Sequence, residues 1–281
     1  MTDDTASRPV RPGALAVAER LAVDGLRVVV LSVSYVFCLV GALAAFGVIA
    51  DHAPNLSSVL TADASLLGTA PEAERLWWVA LVGLGSYVVW MWFRPGPTVR
   101  RARAVAYPAA AALALLGTWF FVVRADLTLG AVLALAVVAA LIVMLHVADR
   151  VATDRFFGRQ LTQLGAAVTL GWMSVLAAET VAAALAARHV RPVYLSSETW
   201  GILAATALMA YGMAVIRYLP GRLYIAAAMA WGFVWLAYAR LLGVPRAYGL
   251  GVVALVSALL VLVAGVAVFL WARGRVRERV A

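Results

Sequence analysis

The sequence predicts an all-α, polytopic transmembrane helical bundle of about eight spans with both termini in the cytoplasm, and three observations carry that prediction. First, the chain is 65% hydrophobic and 13% charged with a mean hydropathy of +0.94. Soluble domains are usually near half apolar, so 281 residues of this composition need lipid as their solvent. Second, apolar runs recur at the length of a bilayer crossing, about 20 residues at 1.5 Å each for a core about 30 Å thick. Third, the connections between those runs alternate between arginine-rich and arginine-poor.

Residues 1–27 read as a cytoplasmic N-terminal segment. They carry Asp3, Asp4, Pro9, Pro12 and Asp24 ahead of any long apolar run, the wrong order for a cleavable signal peptide. The membrane domain follows over 28–272, with spans at Val28–Ala50, Leu76–Phe93, Ala104–Val123, Leu127–Val147, Leu161–Ala187, Gly201–Ile216, Leu223–Ala239 and Ala247–Ala272. Its longest connection is the outer loop 51–75, rich in Ala, Ser, Asp and Pro. Loops above about 12–15 residues are often functional or mobile, so this one is a candidate lid. The other connections are short, with Pro95-Gly96-Pro97 and Pro220-Gly221 as breakers and Pro245 ahead of the last span. Short connections make sequential helices antiparallel neighbours, and small pairs such as Gly41/Ala45 let backbones approach. Residues 273–281 form a basic cytoplasmic tail.

All 23 basic residues are arginine, and eight crossings put 17 of them on one side. Only Arg75, Arg124, Arg188, Arg191, Arg240 and Arg246 fall on the other. That asymmetry follows the positive-inside rule and sets both termini in the cytoplasm of a multi-pass protein. The Lys-free, Arg- and Ala-rich composition points to a bacterial inner membrane. The same placement argues against nucleic acid as a partner despite a net charge of +9. The bilayer and a hydrophobic small molecule are the expected partners, with a homodimer left open.

Several chemistries are excluded. With no lysine there is no Schiff base, and no glycine-rich phosphate loop carries the lysine that ATP chemistry needs. His52, His146 and His189 lie in separate segments without metal-ligand spacing, and Cys38 has no partner for a disulfide. Ser174 and Glu179 are five residues apart on a helix and point to different sides, so they make no nucleophile and base. The expectation is a non-enzyme with no catalytic residue, no metal and no obligatory cofactor.

Glu179 is the exception in an apolar run. It sits within Leu161–Ala187, flanked by Ala177, Ala178, Val181 and Ala182. An ionisable group at membrane depth costs several kcal/mol unless something receives it, which makes it a site candidate. The tryptophans add to this. Trp77, Trp78, Trp90, Trp92, Trp119, Trp200 and Trp271 lie near span ends, where indoles anchor at the headgroup level. Trp172, Trp231 and Trp235 lie deep. Trp231 and Trp235, with Tyr224 and Tyr238, make one face of their helix aromatic, while Trp172 and Glu179 share a face of another. Should those faces meet, they enclose an indole-walled pocket with a carboxylate about 12 Å below the outer end of the helix.

The segment Leu170-Gly171-Trp172-Met173-Ser174-Val175, the polar stretch Leu195-Ser196-Ser197-Glu198-Thr199-Trp200, and Tyr224, Ala226, Ala230 and Trp231 resemble the later helices of long-form tryptophan-rich sensory proteins related to the TspO/MBR translocator family. Gly117-Thr118-Trp119-Phe120-Phe121 is similar to the end of that family's preceding helix. The likeness runs from about Leu115 to Trp235, and the family's asparagine nine residues after Gly171 is Thr180 here. The resemblance implies a bundle that binds hydrophobic ring compounds, porphyrin- or sterol-like, with a porphyrin or haem as ligand and a sensory or transport-regulating role. By position it carries over Trp119, Trp172 and Trp231. With Glu179, Trp235 and Tyr238 these are the candidate ligand-binding residues. Two alternatives stand beside this reading. One is a small proton-coupled secondary transporter using Glu179, and the other a ligand-free accessory subunit of a membrane complex.

Overall fold

The apolar runs fold as helices throughout the computed structural model, which describes residues 14–49, 55–93, 100–151, 156–189, 195–219 and 222–278. Pro95-Gly96-Pro97, Pro220-Gly221, His52, Arg191 and the ends of the N-terminal segment and basic tail lie outside the described residues. In chain order the helices are α1 (Ala14–Ala45), the short α2 (Leu56–Val59), α3 (Leu76–Phe93) after a 3-10 turn at Pro71–Arg75, α4 (Arg100–Val122), α5 (Leu127–Arg150), α6 (Phe156–Ala187), α7 (Ser197–Tyr218), α8 (Leu223–Leu241) and α9 (Tyr248–Glu278). All but α2 contain a stretch long and apolar enough to cross a membrane, giving eight spans.

Local chemistry sets where helices stop. The first span ends at Ala45, short of the expected Ala50. Gly47 has φ of 73° and closes a Schellman turn: its N–H donates to the Ala44 carbonyl at 3.2 Å, and the Val48 N–H donates to Leu43 at 2.9 Å. At the start of α5 the Asp126 carboxylate accepts from the N–H groups of Thr128 (2.7 Å) and Leu129 (3.1 Å). Ser196 does the same for Thr199 at the start of α7.

The packing order departs from sequence order. α1 packs on α3 and α4, α4 on α5, α5 on α6, and α6 on α3, closing a ring of five helices. From outside that ring α8 lies against α6, α9 against α8, and α7 chiefly against α9. Sequential neighbours are therefore not always partners, contrary to the expectation from short connections. The reason lies in where the small residues fall. Gly83 and Gly165 let α3 and α6 touch backbone to backbone, where a Cβ on Gly83 would sit 2.7 Å from the Gly165 Cα. Gly171 brings α6 onto α8, where its Cβ would fall against the Ile225 carbonyl and the Ala228 side chain. In lipid, where no hydrophobic drive joins apolar helices, such close approach is what association rests on. As a result α6 is the central helix, touching α3, α5, α7 and α8.

The connection between α1 and α3 is packed into the molecule. Leu56, Leu60, Leu67, Thr69, Ala70 and Ala73 are all buried. It behaves as part of the core at one end of the bundle, called here the loop end.

Candidate functional site

Glu179 lies two turns from the loop-end terminus of α6, and its carboxylate is buried, with 2% of the residue exposed. It is received by the connection between α1 and α3. Thr69 donates to it twice, from its N–H at 3.3 Å and its hydroxyl at 3.1 Å. The adjacent Gly68 carbonyl accepts from the Arg240 guanidinium at 3.1 Å. Arg240, in the last turn of α8, is fully buried. It also donates to the Ala62 carbonyl and, at 3.0 Å, to the Pro245 carbonyl beyond α8. Opposite charges thus grip successive residues of one loop segment and attract each other across it. Polar groups in a dry interior need partners, and this arrangement supplies them to both Glu179 oxygens and to both terminal nitrogens of Arg240, leaving only the Arg240 Nε without an acceptor.

Sequence reasoning missed Arg240 and Thr69. Arg240 counts as one of six outer-side charges in the sequence, yet it serves the interior. It gave no clear signal, because an arginine just past the end of the apolar run Leu223–Ala239 reads as an interfacial charge. Thr69 gave none, since it is 110 positions from Glu179.

The aromatic groups fall into two places. Trp77 and Trp119, expected as headgroup anchors, are fully buried instead. They come from α3 and α4 and meet with ring centroids 6.1 Å apart, and Phe120 sits 4.8 Å from Trp77. Each has a buried indole N–H with no acceptor. The correction has a physical cause: both residues lie near helix ends, but on faces turned into the ring. Trp78, Trp92, Trp200 and Trp271 are the exposed members of the predicted anchor set.

The stripe on α8 forms an edge-to-face ladder. Trp231 and Trp235 stand 5.6 Å apart, and Trp235 and Tyr238 5.4 Å apart. Tyr238 and Tyr224 are exposed, Trp231 and Trp235 half-buried. The Trp231 indole donates to the Ala73 carbonyl at 3.0 Å, tying α8 to the 3-10 turn. The seam between α6 and α8 itself is made by Gly171 and Val175 against Ile225, Ala228 and Gly232. At 3.6 residues per turn, Trp172 and Glu179 stand a fraction of a turn off that seam on α6, as Trp231 and Trp235 do on α8. Trp172 is fully buried, and its N–H also lacks an acceptor. The six candidates are thus divided: Glu179 at the loop contact, Trp119 in the ring, Trp172 within α6 packing, and Trp231, Trp235 and Tyr238 on the flank of α8.

A family model described as TSPO-like protein matches residues 27–270. The chain belongs to the TSPO-like family. The match extends well beyond the segment from Leu115 to Trp235 and reaches every helix of the ring and the helices laid on it, leaving out the first part of α1 and the last part of α9. No curated protein and no solved structure matches the chain. For this TSPO-like protein, the polar gear at the loop end therefore rests on its own geometry.

Two further features complete the surroundings. An open cleft of about 350 Å³ lies at the loop end, between α2, the turn joining α4 to α5, and the end of α6. None of the six candidates lines it. At the opposite end His146 accepts from the Arg150 guanidinium at 2.9 Å and stacks on Tyr218, its Nδ1 2.9 Å from the phenol oxygen. Those two partners hold the ring as a link from α5 to α7.

Proposed function

We propose that this TSPO-like membrane protein binds a hydrophobic ring compound, porphyrin- or sterol-like, among the helices of its ring, in a sensory or transport-regulating role without catalysis. The observation that carries the reading is the pair Trp77 and Trp119, two buried indoles whose N–H groups find no acceptor. A buried donor left unpaired costs about 1–3 kcal/mol, and most such groups in folded proteins are paired. A flat apolar ligand bearing carbonyl or carboxylate oxygens answers both donors and stacks on both rings. The segment around Gly68 and Thr69, held by Arg240 and Glu179, then serves as the cover over that end.

The test is porphyrin binding by the protein in lipid nanodiscs. Phenylalanine keeps an aromatic ring but removes the N–H, so Trp77→Phe with Trp119→Phe is expected to weaken binding about tenfold or more while leaving the helical content unchanged. Unaltered affinity in the folded double variant defeats the reading. In the same proposal the loop end faces outward from a bacterial inner membrane, and both chain termini lie in the cytoplasm, which the arginine distribution supports.

A further inference from the structure

The cleft at the loop end is independent of the ring interior. Its floor is apolar, with Val59, Val123 and Ala184, and its rim carries Arg124 and Arg188 with Asp126. Arg124 is held rigidly: its Nε donates to the Phe120 carbonyl and its Nη1 to the Ala44 carbonyl, both at 3.1 Å. These acceptors are neutral, so the guanidinium charge is positioned without being cancelled. Arg188 is exposed at the end of α6 and attracts Asp126. The Asp126 carboxylate is spent on the first N–H groups of α5, so the helix terminus itself offers no anion site, and the arginines set the sign. Two guanidinium groups against one carboxylate leave the rim positive.

An apolar floor beneath a cationic rim suits an amphiphile. Next in sequence to the cleft-lining Thr128 and Ala184, Leu129 and Leu185 are exposed apolar side chains, and Val132 follows one turn on along α5. We propose that this cleft binds the phosphate head of an anionic phospholipid, with Arg124 and Arg188 on the phosphate and an acyl chain running along Leu129, Val132 and Leu185. Guanidinium matches phosphate geometry with paired N–H donors, and it is more weakly hydrated than an ammonium, so it gives up water readily at the membrane surface. A zwitterionic lipid would bring its own cation to a rim that already has an excess.

The experiment is native mass spectrometry of the full chain released from nanodiscs of mixed phosphatidylglycerol and phosphatidylcholine. The expected result is one phosphatidylglycerol retained in preference to phosphatidylcholine. That preference should fall about fivefold with Arg188→Gln and further with Arg124→Gln added, given about 1 kcal/mol per arginine near an anionic surface. Because Arg124 also joins α1 to α4, Arg188→Gln alone is the variant that must fold as wild type, and Arg188→Lys should restore part of the preference. Retention unchanged in Arg188→Gln, or equal retention of both lipids by the wild type, overturns the proposal. So does displacement of the lipid by inorganic phosphate at the same concentration, which would make the cleft a site for the free anion.

Discussion

At the scale of single residues, Glu179 and Arg240 do different work although both are buried charges gripping one loop. Glu179 receives two donors from Thr69, and an amide can replace it: the Gln oxygen accepts the Thr69 N–H, and its NH2 reaches the hydroxyl. Glu179→Gln should therefore cost about 1 kcal/mol or less, whereas Glu179→Ala strands the Thr69 donors and should cost about 1–3 kcal/mol. Arg240 feeds the carbonyls of Ala62, Gly68 and Pro245, and no neutral side chain serves three such acceptors. Arg240→Ala should cost about 3 kcal/mol or more, because it leaves the carbonyls of Ala62, Gly68 and Pro245 without their donor. Thermal unfolding in detergent ranks the three variants, and Arg240→Ala no worse than Glu179→Gln would mean that the guanidinium is not a structural centre. Glu179 was legible in the sequence because a carboxylate in an apolar run is visible without coordinates. Arg240 was not, because an arginine in the last turn of a helix looks the same whether it reaches out to water or back into protein.

At the scale of elements, the helix starts and stops follow local chemistry that sequence reading only partly recovers. The apolar run at Val28–Ala50 hid the stop at Ala45, since Val48, Ile49 and Ala50 are as hydrophobic as the helix before them. Only the left-handed Gly47 and its two hydrogen bonds reveal the turn. Asp126 is the clearest start. Its carboxylate pKa is pulled below the usual 3.8, first by the backbone N–H of Leu129 and then by that of Thr128. A depressed folded-state pKa means that the cap stabilises in full above the unfolded value and is lost as the pH falls through the folded one. The melting temperature of Asp126→Ala should thus lie below that of the wild type at neutral pH, and the gap should narrow below pH 3.8. Measured across a pH series in detergent, a gap that stays constant into acid would show that the ionised carboxylate contributes nothing to the start of α5.

At the scale of the whole molecule, the number of spans was legible because each crossing writes its own length of apolar residues, but their arrangement was not. Which helices pair depends on which faces carry glycine. Gly83 with Gly165 and Gly171 with Ala228 are matches between segments far apart in sequence that no single run announces. The same limit hid the proposed site. Trp77 and Trp119 are near span ends and so look like anchors, and only the closure of the ring turns them inward. Orientation is the global property for which the sequence still argues best. Counted along the sequence with eight crossings, 17 of the 23 arginines belong to the side opposite the loop end. Arg240 and Arg124 at the loop end are tied to carbonyls, as Arg222 at the other end is tied to Asp149 and the Leu145 carbonyl, so pairing alone does not favour one side. The arginine count argues for cytoplasmic termini, and eight crossings return the chain to the side where it began. A fluorescent protein that matures only in the cytoplasm should then light up when fused to the C-terminus, and a phosphatase active only outside should work when joined after Arg188, in the connection between α6 and α7. The reverse pattern would refute the orientation without touching the ring of five helices, and it would place the lipid cleft and the loop cover on the cytoplasmic face.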